Sequence, residues 1–293
     1  MAEFEHNDFR ISYDEYGAGE RPLVLIHGLL MSRRMFDRLG PAMAERGNRV
    51  ITIDLLGHGR SDRPADMWRY SMSTFGAQVI ALLDHLEVDE AVVLGTSLGA
   101  NTTLEAASLA PERLRGMVIE MPVLDHALLG CALAFTPLMV ALTAGAPAMK
   151  LLSAVTRRIP RLPWQADILL DTVRQQPEPS AAVLQGLFFG RTAPHRSERR
   201  TFETPTLVIG HQFDIVHPFS DADMLVDELP NARLLQASSI LELRLAPERL
   251  TGEIAGFIQD CWLPKPANRS GAARVSGARR RSSSRSRPSP PRP

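Results

Sequence analysis

The sequence predicts an α/β fold with a mostly parallel central sheet and helices on both faces. Short apolar runs alternate with amphipathic stretches along most of the 293 residues, which is typical of parallel strands joined by helices. The chain is long enough to bury a full core, and its 44% hydrophobic and 23% charged residues are usual for a globular protein. The alternation stops between residues 123 and 200, where prolines and long apolar stretches indicate an inserted helical segment.

Strands are predicted where short apolar or β-branched runs end near glycine or polar turn residues. They cover residues 9–16, 23–27, 50–54, 91–96, 114–121, 206–210 and 232–237. Helices are predicted where apolar residues recur at helical spacing, as Phe75, Val79 and Leu82 do. They cover residues 32–46 with Ser32 as a cap, 73–86 opened by Ser73, 98–110, 220–229 and 247–260.

These patterns predict three parts of the chain. Residues 1–122 and 201–262 form the α/β core, residues 123–200 form a helical lid, called the cap segment below, and residues 263–293 form a disordered tail of arginine, serine and proline. Nine basic and no acidic residues follow position 260, which leaves 24 basic against 33 acidic residues before it. The acidic core argues against nucleic acid as its partner, while the tail could make weak contact with anionic surfaces.

Composition also suggests a compartment. The acidic N-terminus lacks the apolar stretch of a secretory signal, and two cysteines make no disulfide or metal-ligand pattern. We therefore expect a cytoplasmic protein without a metal. Residues 127–149 contain no charged residue and are long enough to cross a bilayer. Because Gly130 and Pro137 interrupt them, we expect a lid that is buried or faces lipid.

The motif Gly95-Thr96-Ser97-Leu98-Gly99 lies between a predicted strand and a predicted helix. A serine hydroxyl becomes a nucleophile when a sharp turn exposes it beside a base, and the flanking glycines allow strand and helix to approach closely. We therefore predict Ser97 as the catalytic nucleophile.

A second glycine turn follows an earlier predicted strand, in His27-Gly28-Leu29-Leu30. This turn can direct the N–H of Leu29 towards the same point as the N–H of Leu98. Two such donors would form an oxyanion hole, with Gly28 beside the bound substrate. The His27 side chain is predicted to be structural.

These two motifs, together with Asp54-Leu55-Leu56-Gly57-His58-Gly59-Arg60-Ser61 between them, resemble the α/β-hydrolase superfamily. The most similar branch contains small esterases, lipases and C–C-bond hydrolases with a helical cap. The resemblance covers about residues 9–260. It implies a Ser–His–acid triad, no cofactor and a cap that shapes the acyl pocket, but it specifies no substrate.

The resemblance places the triad acid in the loop after the strand at residues 206–210. Asp214 is in this loop and Pro218 follows it, as the family pattern requires, although the loop is one residue longer than the commonest form. Asp214 is therefore the predicted acid. Asp125 is the alternative, because some relatives place the acid after the preceding strand.

The triad histidine does not follow the family pattern. Alignment on Pro247-Glu248 puts Ser239-Ile240 where the family has Gly-His, and no histidine follows His217. Without an imidazole, Ser97 would keep its proton at neutral pH. His217 is the predicted substitute because it lies in the same loop as Asp214.

Other sources for the base remain open at this point. His126, His58 or His211 could supply it, although His58 belongs to a motif where a structural role is expected. Two hypotheses for the function are consistent with these residues. The first is a serine hydrolase for a small, largely apolar ester or related carbonyl compound. The second is a ligand-binding protein on the same fold in which Ser97 is not catalytic. Neither hypothesis specifies the oligomeric state.

Overall fold

The computed structural model describes residues 2–160, 162–212, 214, 216–239, 242–245 and 247–263. The chain up to Trp262 forms one compact unit. The predicted disordered tail lies outside the described residues, apart from Leu263.

A single eight-stranded sheet organises this unit, in the order β1-β2-β4-β3-β5-β6-β7-β8. The strands are β1 Ala2–His6, β2 Phe9–Tyr16, β3 Arg21–Ile26, β4 Asn48–Ile53, β5 Ala91–Thr96, β6 Leu114–Glu120, β7 Thr206–His211 and β8 Ala232–Ala237. β1 pairs with β2, and β2 with β4, in antiparallel register. All other neighbouring pairs are parallel, which confirms the predicted fold class.

Eleven α-helices occur in the described residues. They are α1 Leu39–Ala44, α2 Met72–His85, α3 Leu98–Leu109, α4 Ala127–Thr143, α5 Ala146–Thr156, α6 Trp164–Val173, α7 Pro177–Phe189, α8 Arg196–Arg199, α9 Phe219–Glu228, α10 Glu242–Leu245 and α11 Glu248–Trp262. The helices α4 to α8 lie within the predicted cap segment.

Alternating residues of the parallel strands face opposite sides of the sheet, so that each side has its own apolar core. Val24 and Ile26 of β3 belong to the cluster that includes residues of α2, α3 and α9. Leu23 and Leu25 of the same strand belong to the cluster formed with α1 and α11. Burial on both faces explains why these strands appear in the sequence as continuous apolar runs.

Two predicted helix starts were wrong. Residues 32–46 form a short 3₁₀ turn at Arg33–Phe36 followed by α1, and Ser32 makes no capping bond. Pro41 lacks an N–H, and it is accommodated in the first turn of α1 rather than inside a long helix. The cap of α2 is Ser71, whose Oγ accepts the N–H of Thr74 at 3.0 Å.

The first strand was missed by the sequence analysis. β1 and β2 form a hairpin whose turn residues, Asn7 and Asp8, have φ values of 52° and 67°. Asparagine and aspartate tolerate this left-handed region, and two consecutive residues there match the twist of a tight hairpin. The pair Asn7-Asp8 was therefore the feature of the sequence that could have predicted this hairpin.

No single helix of the described chain is long and apolar enough to span a membrane. The helices α4 and α5 are long and apolar enough only when they are taken together, and a bend of 92° lies between them. Several large apolar side chains of α4 are exposed, including Leu129 and Leu133.

Two glycines allow α3 to approach the sheet. A Cβ atom at Gly95 would lie 2.0 Å from the carbonyl oxygen of Gly99, and one at Gly99 would lie 2.2 Å from that of Ile26. Both obstacles are backbone atoms of packed elements, so neither can move aside independently. These glycines fix the position of the turn between β5 and α3.

Replacement of Gly99 by alanine is expected to lower the free energy of unfolding by more than about 3 kcal/mol, because the methyl group displaces α3 from β3. Gly256→Ala in α11 is the matched control, since a Cβ there meets no atom within 4 Å. It should stabilise the helix by about 0.5–1 kcal/mol. Urea denaturation followed by circular dichroism measures both changes, and equal effects would contradict the close-approach argument.

Candidate active site

Ser97 lies at the turn between β5 and α3, in a backbone conformation that few non-glycine residues adopt. Its φ is 54° and its ψ is −110°. The Ser97 N–H donates to the Glu120 carbonyl at 2.8 Å, and its own carbonyl accepts the N–H of Asn101 at 3.1 Å. The strained backbone is thus held by the neighbouring strand and by the first turn of α3.

The Ser97 side chain is hydrogen-bonded to a histidine. Ser97 Oγ lies 2.8 Å from His217 Nε2, and His217 Nδ1 lies 2.8 Å from Asp214 Oδ2. An ionised carboxylate can only accept, so Nδ1 carries the proton and donates it to Asp214. In the neutral ring Nε2 is then unprotonated, and it accepts a hydrogen bond from the hydroxyl of Ser97. The structure thus joins the three residues that the sequence analysis selected as nucleophile, base and acid.

Asp214 also shapes the loop that carries His217. Its Oδ1 accepts the backbone N–H of Val216 at 2.9 Å and that of His217 at 3.0 Å. Partial burial raises the pKa of Asp214, but the hydrogen bond and charge of His217 and these two N–H groups outweigh it, and the pKa lies below its usual value. One carboxylate therefore orients both the ring and the backbone of His217.

A largely apolar cavity of about 330 Å³ opens beside Ser97 and His217. Leu29 and Leu98, the predicted oxyanion residues, both line it. Gly28 is not among the lining residues. Its carbonyl accepts the N–H of Met31 at 3.1 Å, so its place is inside the turn that presents Leu29.

Helices of the cap segment supply much of the cavity wall. α4 contributes Leu128, Cys131 and Phe135, and α7 contributes Leu184 and Phe188. Burial raises the pKa of the Cys131 thiol to about 11, and the charges of nearby aspartates add to this effect. Cys131 is thus a neutral, apolar part of the wall at neutral pH.

The other histidines that were considered as bases have different partners. The His126 ring lies 3.0 Å from Asp221 Oδ1. His211 is buried, with Nε2 3.2 Å from Glu120 Oε1 and Nδ1 2.9 Å from the Ser239 carbonyl.

Two further histidines have structural contacts. His58 Nδ1 lies 3.0 Å from the Leu56 carbonyl, and His27 Nε2 accepts the N–H of Leu55 at 3.1 Å. Burial lowers the pKa of both rings, so that both are neutral at pH 7. Asp125, the alternative acid, is exposed and lines a different cavity.

Two buried acids that support the site were not predicted from the sequence. Glu120 Oε2 accepts a hydrogen bond from the hydroxyl of Thr96, the residue directly before Ser97, at 2.6 Å. Asp221 accepts the N–H groups of Leu124, His126 and Ala127, and it thereby fixes the start of α4. Both acids lie in ordinary strand or helix patterns, so no local signal distinguished them.

Residues 21–206 match the family described as alpha/beta hydrolase fold. The chain belongs to this family. The match spans more than half of the chain and includes the turns that carry Leu29 and Ser97. It ends before Asp214 and His217.

Comparison with individual proteins gives partial sequence similarity and similarity of fold. The chain is 38% identical over 103 residues to the dihydrolipoyllysine-residue acetyltransferase component of the acetoin cleaving system of Pseudomonas putida, covering 34% of this chain and 26% of that protein. It is 35% identical over 112 residues to 2-hydroxymuconate semialdehyde hydrolase of Pseudomonas sp. strain CF600, covering 38% and 39%. The chain thus spans well under half the length of these relatives.

The solved structure of the enol-lactonase from Burkholderia xenovorans LB400 superposes with a TM-score of 0.70. The superposition covers 88% of this chain and all of that chain, at 20% identity. At this identity the comparison shows the shared fold alone.

Proposed function

We propose that the chain is a serine hydrolase that cleaves a small, largely apolar ester or related carbonyl compound through an acyl-enzyme on Ser97. One observation carries this proposal: the unbroken hydrogen-bond chain from Ser97 Oγ through His217 to Asp214. The named hydrolase among the relatives supports the same reaction class.

The geometry suggests the following sequence of steps. His217 Nε2 takes the hydroxyl proton while Ser97 Oγ bonds to the substrate carbonyl carbon, and the carbonyl electrons move to oxygen. The N–H groups of Leu29 and Leu98 stabilise that oxyanion. Collapse of the intermediate expels the alcohol, which takes the proton from His217. His217 then takes a proton from water while the water oxygen attacks the acyl carbonyl, and Ser97 leaves with the proton that His217 returns. Asp214 stabilises the imidazolium that forms in each half of the reaction.

The cavity supports the substrate class. Its wall is largely apolar and includes leucine and phenylalanine side chains from α4 and α7, and such a surface favours an apolar acyl group. Its volume of about 330 Å³ favours a small substrate. The alternative of a silent binding protein arose from the missing C-terminal histidine, and no contact in the described residues favours it.

A fluorophosphonate probe tests the proposal, because its phosphorus is attacked by an activated serine that displaces fluoride. We expect one probe per chain by intact mass, mapped by peptide sequencing to Ser97, and none in a folded Ser97→Ala protein. A series of p-nitrophenyl esters should then show turnover that depends on acyl chain length. A folded wild-type protein that neither reacts with the probe nor cleaves these esters would overturn the proposal.

A further inference from the structure

A second cavity, larger than the one at Ser97, lies between the core and the cap segment. Its volume is about 510 Å³. We call it the arginine pocket, because it is lined by Arg33, Arg34, Arg60, Arg63, Arg157 and Arg174. The loop that contributes Leu29 to the Ser97 cavity contributes Met31 and Ser32 to this one. The proposed reaction uses none of these arginines.

Arg33, Arg34 and Arg174 form ion pairs with aspartates. Arg33 contacts Asp14 and Asp54. Arg34 and Arg174 share Asp167 and Asp171. Arg34 Nε also lies 3.9 Å from Asp37 Oδ2.

Arg63 and Arg157 hydrogen-bond only to neutral groups among the described residues. Arg63 donates to Gln175 Oε1 at 3.3 Å and to the Gly59 carbonyl at 2.6 Å. Arg157 donates from Nε to the Arg174 carbonyl at 2.9 Å.

The two guanidinium groups also repel each other. Burial is the main cause that lowers the pKa of Arg63; Asp54 and Tyr70 raise this pKa, and the positive charge of Arg157 lowers it slightly. A partly buried guanidinium that donates only to neutral groups gains stability from an anion that it contacts directly.

We propose that the arginine pocket is a binding site for a phosphate group, held between Arg63 and Arg157. The planar guanidinium fork binds the paired oxygens of phosphate in bidentate fashion. A phosphate monoester carries close to two negative charges at neutral pH, which matches the two positive charges of Arg63 and Arg157. The site is separate from Ser97 and does not depend on the proposed hydrolase activity.

Binding is measured on the full chain carrying Ser97→Ala, so that no turnover contributes to the signal. Inorganic phosphate, glycerol 3-phosphate and vesicles containing phosphatidic acid are titrated separately, by calorimetry for the small anions and by co-sedimentation for the vesicles. We expect saturable binding of at least one of them. Preference for the small anions indicates a soluble phosphate ligand, whereas binding of vesicles alone indicates a lipid headgroup; either result supports a phosphate site if the arginine substitutions weaken it.

Arg157→Gln should weaken the binding about tenfold or more, because it removes one charged donor from the phosphate. Arg157 is exposed, so this variant is expected to fold even if Arg63→Gln does not. Arg158→Gln is the matched control, since Arg158 is the next exposed residue and does not line the pocket. No binding of any phosphate compound, or equal binding by the Arg157 and Arg158 variants, would overturn the proposal.

Discussion

Replacement of His217 by alanine is expected to lower kcat for ester hydrolysis by about 10⁴-fold or more. The physical reason is that His217 Nε2 lies 2.8 Å from Ser97 Oγ, whereas the other histidines that were considered have partners elsewhere. Without this ring the hydroxyl keeps its proton at neutral pH, and no general base is left for either half of the reaction.

Steady-state hydrolysis of a p-nitrophenyl ester and the rate of fluorophosphonate labelling both measure the loss. His126→Ala is the matched control, because His126 is an exposed histidine bonded to Asp221. It should change neither rate substantially. If the His217 variant kept nearly the wild-type kcat while Ser97→Ala remained inactive, the base would have to be another group.

Much of the site was predictable because its positions follow from sheet geometry. Ser97 and the loop after β7 both come at the carboxyl ends of parallel strands, and these ends meet at one edge of the sheet. The apolar runs of the strands and the glycines beside Ser97 were sufficient to predict the turn that carries Ser97. The sheet therefore explains why Ser97 and Asp214 are close although more than a hundred positions separate them.

The contact between His217 and Ser97 was only one hypothesis among several, for a physical reason. The family pattern puts the base after the last strand, where this chain has Ser239-Ile240. A residue three positions after the acid reaches the nucleophile only if the loop folds back. Two hydrogen bonds from backbone N–H groups to Asp214 Oδ1 stabilise this folded-back loop. The spacing of the residues in the sequence does not reveal that these bonds form.

Replacement of Asp214 by asparagine is expected to lower kcat by about 10⁴-fold, while the protein remains folded. The neutral amide can still accept a backbone N–H, so the loop keeps part of its support. It does not stabilise the imidazolium, and its NH₂ group favours the tautomer in which Nδ1 of His217 accepts and Nε2 is protonated. Nε2 then has no lone pair for the Ser97 proton.

The same substitution should change the response to acid. The folded pKa of Asp214 is below its usual value, so the carboxylate stabilises the fold above its unfolded pKa of about 4, and this contribution is lost as pH falls through the folded pKa. The free energy of unfolding, measured by urea denaturation, should therefore fall less between neutral and acidic pH in Asp214→Asn than in wild type.

Asp125→Asn is the matched control for both measurements. Asp125 is exposed, follows the neighbouring strand and was the alternative acid, yet it does not line the Ser97 cavity. It should preserve kcat and the acid response. A loss of kcat in Asp125→Asn equal to that in Asp214→Asn would show that the hydrogen bond that His217 donates to Asp214 does not orient the base, since the exposed carboxylate would then matter as much as the bonded one.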